Sequence, residues 1–216
     1  MQSKLSKDEV KEILLRVAGN GLTHAQNYYN CIAQGDADFV SMYGTDPILS
    51  NGAKAHIRNS KILYYVRQLM VEDTVSYVHL DDHNAFYVRV EGRLHLRFKK
   101  LDKFGRSAAG KTGRDKRFRL QDSECLPFVD KVSVAVNMDV GYTLDQTGTL
   151  TEISFSCSAP HKRDVPWRLR TKDLQINESQ MQLIPVTEDD IIPVFQLDVK
   201  EHLKKKADGK QSDGAV

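Results

Sequence analysis

With 216 residues, 40% of them hydrophobic and 28% charged, the chain has the make-up of one globular domain with a core of ordinary size. Its net charge of +2 is too small to assign a polyanionic partner from the overall balance. No stretch approaches the ~20 consecutive apolar residues of a membrane helix. Asp8 and Glu9 stand where a signal peptide would carry its apolar run, so a cytoplasmic protein without membrane contact is expected.

The first element opens at Ser6 and Glu9, which have the spacing of a capping box. Val10, Ile13, Leu14 and Val17 follow at helical intervals, and Gly19-Asn20-Gly21 ends the run. A second helix is expected over 23–34, with Thr23 as its cap and Gly35 as its stop. A third runs from about Ala53 to Val71 on the partly apolar face made by Ile57, Leu63, Tyr64, Val66, Arg67 and Met70.

Then the period changes to two. Residues 74–80, 86–90 and 93–99 read as a meander of three short strands, with turns at Asp81-Asp82-His83-Asn84 and Glu91-Gly92. In the third strand Arg93, His95, Arg97 and Lys99 alternate with Leu94, Leu96 and Phe98, which predicts one wet face and one buried face. Residues 131–144 and 149–157 form a second hairpin, and Trp167 and Leu169 are expected to tuck back onto the core. The fold class is therefore α+β: an antiparallel sheet of about five strands covered by N-terminal helices, with a disordered C-terminal tail. Residues 1–72 form the helical layer, 73–200 the sheet region of the same domain, and 201–216 a disordered basic tail. Cys31, Cys125 and Cys157 are widely spaced and form no CxxC pair, so they read as buried thiols.

Charge is concentrated in residues 97–119. Arg97, Lys99, Lys100, Lys103, Arg106, Lys111, Arg114, Lys116, Arg117 and Arg119 face only Asp102 and Asp115, a surplus of eight that leaves the rest of the chain at about −6. With Arg93, this hairpin and loop form a candidate nucleic-acid surface, because a small-residue loop lets backbone N–H groups approach an anion while cations close from the sides. Two alternatives weigh against it: a solvated face, or pairing with the acidic stretch 188–198 of the same chain.

Gly105 to Thr112 also satisfies G-x-x-x-x-G-K-T, the phosphate-loop pattern. Such a loop works where it follows a buried parallel strand and opens a helix. Here the strand before it alternates, residues 99–104 intervene, and Gly113-Arg114-Asp115-Lys116-Arg117 reads as polar rather than as a core-facing helix, so nucleotide hydrolysis is not expected. Glu91 and His95 are the catalytic candidates. Glu91-Gly92-Arg93 with Arg97 and Lys99 suggests the acidic-then-basic strand of a metal-dependent nuclease. His95, in a stripe with Arg93, Arg97 and Lys99, could donate the proton a metal-free ribonuclease needs, although simple solvent exposure explains that stripe as well. His79, Asp81 and His83 could hold a metal ion at their turn, although a solvated hairpin explains them as well. The residues leave the cofactor unknown.

The stretch from Tyr87 to Asp102, together with Val140-Gly141-Tyr142-Thr143-Leu144-Asp145 through Trp167, resembles a bacterial and prophage family. Its members are encoded beside a helix-turn-helix regulator with a zinc-peptidase-like domain. The resemblance covers roughly residues 55–170 and carries no catalytic residue set onto this chain. It implies a toxin–antitoxin or phage-defence module in which this chain is the effector, acting on or binding nucleic acid, with an antitoxin-like protein masking the cationic surface. The other reading is a regulatory or adaptor protein that binds a protein partner through the charged loop.

Overall fold

A computed structural model describes residues 5–82, 85–108, 112–121, 135–157 and 165–176, with backbone alone at 78–82, 85 and 114. All of them lie in one compact unit spanning residues 1–183.

Three helices come first. In α1 (Lys7–Leu15) the capping box forms as the spacing predicts: Glu9 N donates to Ser6 Oγ at 3.3 Å and Ser6 N to Glu9 Oε2 at 2.7 Å. The buried stripe is Val10, Ile13 and Leu14. Helix α2 (His24–Tyr43) starts at Thr23, whose hydroxyl accepts from Gln26 N. It runs well past the expected stop, because Gly35 lies inside it as the point of closest helix approach. A Cβ at Gly35 would sit 2.6 Å from the N and Cα of Ile62, so the missing side chain lets α2 lie directly against the backbone of α3 (Asn51–Glu72). Ser50 caps α3 through Ala53 N.

The sheet follows; among the described residues it has six strands, ordered as they occur in the chain: β1 (Tyr77–Asp82), β2 (Ala85–Val90), β3 (Leu94–Lys100), β4 (Val136–Leu144), β5 (Leu150–Cys157) and β6 (Arg168–Arg170). The α+β class, with helices preceding a sheet, is as expected. The sheet is mixed, however, because β3 and β4 pair in parallel while the other neighbours are antiparallel. Parallel neighbours need a long crossover, and the chain between β3 and β4 supplies it, including a helix α4 (Gly113–Arg119).

One sheet face is apolar. Leu96, Phe98, Val140 and Phe155 lie on it, and Tyr28 of α2 is buried against it with its ring centroid 5.7 Å from that of Phe98 and 6.4 Å from that of Phe155. The opposite face carries Tyr87, His95, Arg97, Asn137, Asp139, Ser154 and Ser156, and it too is buried. The alternation in β3 is present, but its polar side is not wet: His95 is 0% and Arg97 6% exposed. Residues 101–108 and 112–121 roof that side, with Phe118 of α4 buried beside Tyr87 at 5.5 Å between ring centroids. The expectation that residues after Thr112 would not form a core-facing helix is corrected by α4: Thr112 Oγ1 accepts from Asp115 N, and Asp115, Phe118 and Arg119 turn inward.

Leu169 is buried on β6 and Trp167 half-buried beside it. The predicted strand portion 131–134, Cys125, the acidic stretch 188–198 and the tail 201–216 lie outside the described residues. No described helix is long and apolar enough to cross a membrane.

Candidate functional site

The cationic segment divides into two sets. The inner set is a buried ion cluster between β3, β4 and the roof. Arg97 Nε donates to Asp139 Oδ1 at 2.8 Å and Arg97 Nη1 to Asp115 Oδ1 at 2.6 Å. Arg119 Nε donates to the other oxygen of Asp115 at 2.9 Å, and Ser107 Oγ to Asp139 Oδ2 at 2.7 Å. Two arginines thus face two aspartates with no net charge, a requirement for holding ions out of water. Burial alone would raise the Asp115 carboxyl, but the hydrogen bond from Arg119 and the charge of Arg97 outweigh it and hold the pKa below the usual range. Burial likewise works to lower the Arg97 guanidinium, and the attraction of Asp139 overcomes it. The Phe118 ring closes the cluster, with its centroid 4.2 Å from Arg97 Cζ.

This cluster clamps the roof to the sheet. Arg119 Nη2 reaches Ser107 Oγ at 2.8 Å and the carbonyls of Ser107 and Ala108, tying α4 to the loop before it. That loop turns at 102–105 around Asp102, whose Oδ1 accepts from Phe104 N and Arg106 N and whose Oδ2 accepts from Arg106 Nε at 2.7 Å. Gly105 at φ 80° completes the turn; a Cβ there would lie 2.8 Å from Arg168 Cδ and 2.9 Å from Ser156 Oγ.

Arg97 and Arg119, expected at the surface, are therefore structural and buried, and Arg106 is engaged by Asp102. The outer set is Lys99, Lys103, Lys116 and Arg117, all exposed. Among the described residues no carboxylate pairs with the three lysines. Desolvation, followed by the repulsion of Arg97, lowers the Lys99 pKa even though its residue surface is exposed, and the attraction of Asp139 and Asp115 opposes this only in part. Lys100 departs on the opposite face and lines a cleft of about 920 Å³ between α2, α3 and the β4–β5 turn. Arg93 stands at the far end of β3, near Glu9 of α1 at 4.0 Å, about 20 Å from Lys99 at a strand rise of ~3.3 Å per residue. The structure does not bring Arg93 and Lys100 together with the roof. Lys111 and the side chain of Arg114 lie outside the described residues.

The two catalytic candidates, Glu91 and His95, point to different elements. Glu91, at φ 48° in the β2–β3 turn, accepts from Arg16 at 2.6 Å and meets His24 Nε2 at 3.1 Å, while His24 Nδ1 lies 2.9 Å from the Tyr77 hydroxyl. His95 lies under α4. Asn137 Nδ2 donates to Phe118 O at 3.0 Å, so Asn137 Oδ1 accepts from His95 Nδ1 at 3.1 Å and His95 Nε2 keeps its lone pair. That nitrogen is buried without a partner among the described residues, as are Arg97 Nη2 and Ser156 Oγ. Imidazole in that state is a base, yet at 0% exposure it has no path to an outside substrate. His79 and Asp81 are described by backbone alone and His83 lies outside the described residues; no metal-binding cluster occurs among the described side chains.

Sequence reasoning missed Phe104 and the β6 arginines. Arg168 Nη1 donates to Lys103 O at 3.3 Å, and both Arg168 and Arg170 pair with Glu152, placing β6 beside the 102–105 turn. The signal for Phe104 was local: an aromatic between Lys103 and Gly105-Arg106 in a turn. Comparison of the chain with family models, with curated proteins and with solved structures returns no match.

Proposed function

We propose that the protein binds nucleic acid through the outer surface of the 101–121 roof and acts as the effector of a two-gene module, with an acidic protein partner able to cover the same surface. The observation that carries the binding is the sorting of cations. Arg97 and Arg119 are turned inward onto Asp115 and Asp139 and Arg106 is paired with Asp102 at the surface, while Lys99, Lys103 and Lys116 extend outward with Arg117. Among the described residues no carboxylate pairs with those lysines, and a lysine array of this kind attracts a phosphate backbone by counterion release.

The test is fluorescence polarisation with labelled DNA and RNA across roughly 50–300 mM salt, a range in which phosphate binding shows as a linear fall of log affinity with log salt. The triple variant Lys99→Glu, Lys103→Glu, Lys116→Glu should weaken binding and flatten that slope by roughly 0.7–0.9 for each phosphate no longer neutralised. Wild-type protein that binds neither polymer at the lowest salt removes the reading. Expression without a partner should arrest growth, and normal growth at high expression would leave a binding protein without the effector role.

A further inference from the structure

Phe104 stands in the open. Among the described side chains every other Phe, Tyr and Trp is buried or half-buried, whereas Phe104 is 57% exposed. A single exposed apolar side chain is ordinary, but this one is not carried on a loose segment. The turn that carries it is fastened at each position: Asp102 takes the N–H groups of Phe104 and Arg106, Gly105 N donates to Asp102 O at 2.8 Å, Asp102 N donates to Arg106 O at 2.9 Å, and Arg168 holds Lys103 O. The ring therefore projects from a rigid support. Two cations attend it, Arg106 Cζ at 4.6 Å and Lys103 Nζ at 5.1 Å from its centroid, and with both in place more than half of the residue still faces solvent.

We infer that Phe104 is a stacking platform for an unpaired base, so that the polymer engaged by the roof is single-stranded. This rests on the nucleic-acid reading above and names its substrate class. An aromatic face beside a cationic track is the arrangement that holds single strands with little regard to sequence, because every base offers a π-face and every nucleotide a phosphate. In a duplex the base faces are covered by their neighbours, and a ring reaches them only by wedging a step apart. Lys103, which has no carboxylate partner among the described residues, is placed for a phosphate flanking the stacked base, while Arg106 stays paired with Asp102 and backs the ring at 4.6 Å from its centroid.

The experiment compares a single strand of about 20 nucleotides, long enough to exceed the site of one small domain, with its duplex and with the same strand carrying abasic sites. Each is prepared as DNA and as RNA and titrated at one fixed salt concentration against full-length wild type, Phe104→Ala and Phe104→Trp. Phe104→Ala should lose on the order of tenfold or more in affinity for the intact strand, as expected when one stacked base is given up. It should change duplex affinity less than about twofold and leave the salt slope unaltered, while Phe104→Trp retains binding. The abasic strand should bind wild type as weakly as the intact strand binds Phe104→Ala, a control that needs no variant to fold. Salt-sensitive binding that Phe104→Ala leaves untouched overturns the platform while sparing the lysine surface. A loss confined to the duplex overturns it in favour of a wedge. No binding by wild type overturns both.

Discussion

Arg97 on β3 and Asp139 on β4 stand directly opposite each other in the parallel register and are joined through Arg97 Nε at 2.8 Å, beneath a roof that leaves neither more than 6% exposed. Antiparallel strands would need no crossover here. The parallel pairing both places these side chains together and creates the segment that covers them.

Asp115 is the shared acceptor of Arg97 and Arg119, so Asp115→Asn should leave two buried guanidinium groups short of a counter-charge. Breaking a buried ion set by removing one member costs about 3–5 kcal/mol. Urea unfolding should register a loss of that order, and limited trypsinolysis should cut earlier within 101–121. A midpoint within experimental error of wild type would mean that the cluster does not hold the roof.

The pH dependence of stability should carry the mark of His95. Burial holds its pKa below the ordinary 6.5, opposed by the Asn137 hydrogen bond and assisted by the charge of Arg89. As pH falls the unfolded chain takes up this proton first, so the native advantage is complete above 6.5 and is lost as pH falls through the lowered native value. Unfolding midpoints measured between neutral pH and the onset of carboxylate titration should decline in wild type, with a shallower decline in His95→Gln. Parallel curves would assign the slope to other groups.

Gly35→Ala should be destabilising although alanine is the better helix former. The added methyl meets the backbone of Ile62 at 2.6 Å, and backbone cannot move aside as a flexible side chain does. Overpacking of this kind costs about 1–3 kcal/mol, to be read as a lowered Tm; an increase would show that α2 and α3 separate without cost.

Asp102→Ala should act on the turn rather than on the fold. It removes the acceptor of Phe104 N, Arg106 N and Arg106 Nε, bonds confined to residues 102–106. Cleavage by trypsin after Lys103 should accelerate with the Tm nearly unchanged. If the cleavage rate stays at the wild-type level, Asp102 is not what holds the turn.

Local signals carried much of this fold into view from residue order alone. Ser6, Thr23 and Ser50 cap their helices through bonds spanning three residues, and the Ser6–Glu9 box and the Thr23 start are legible because cause and effect lie within one turn. The alternation of β3 and the surplus of cations over 97–119 are equally plain. What residue order did not decide was the fate of those cations. Arg97 meets Asp115 across 18 residues and Asp139 across 42, and nothing short-range distinguishes Arg97 from Lys99 two places on. Period two states that a face is polar; whether that face meets water depends on what the crossover lays upon it. The tertiary structure therefore chose which charges are neutralised and which remain outside, because ion pairing in a protein is settled by proximity in space.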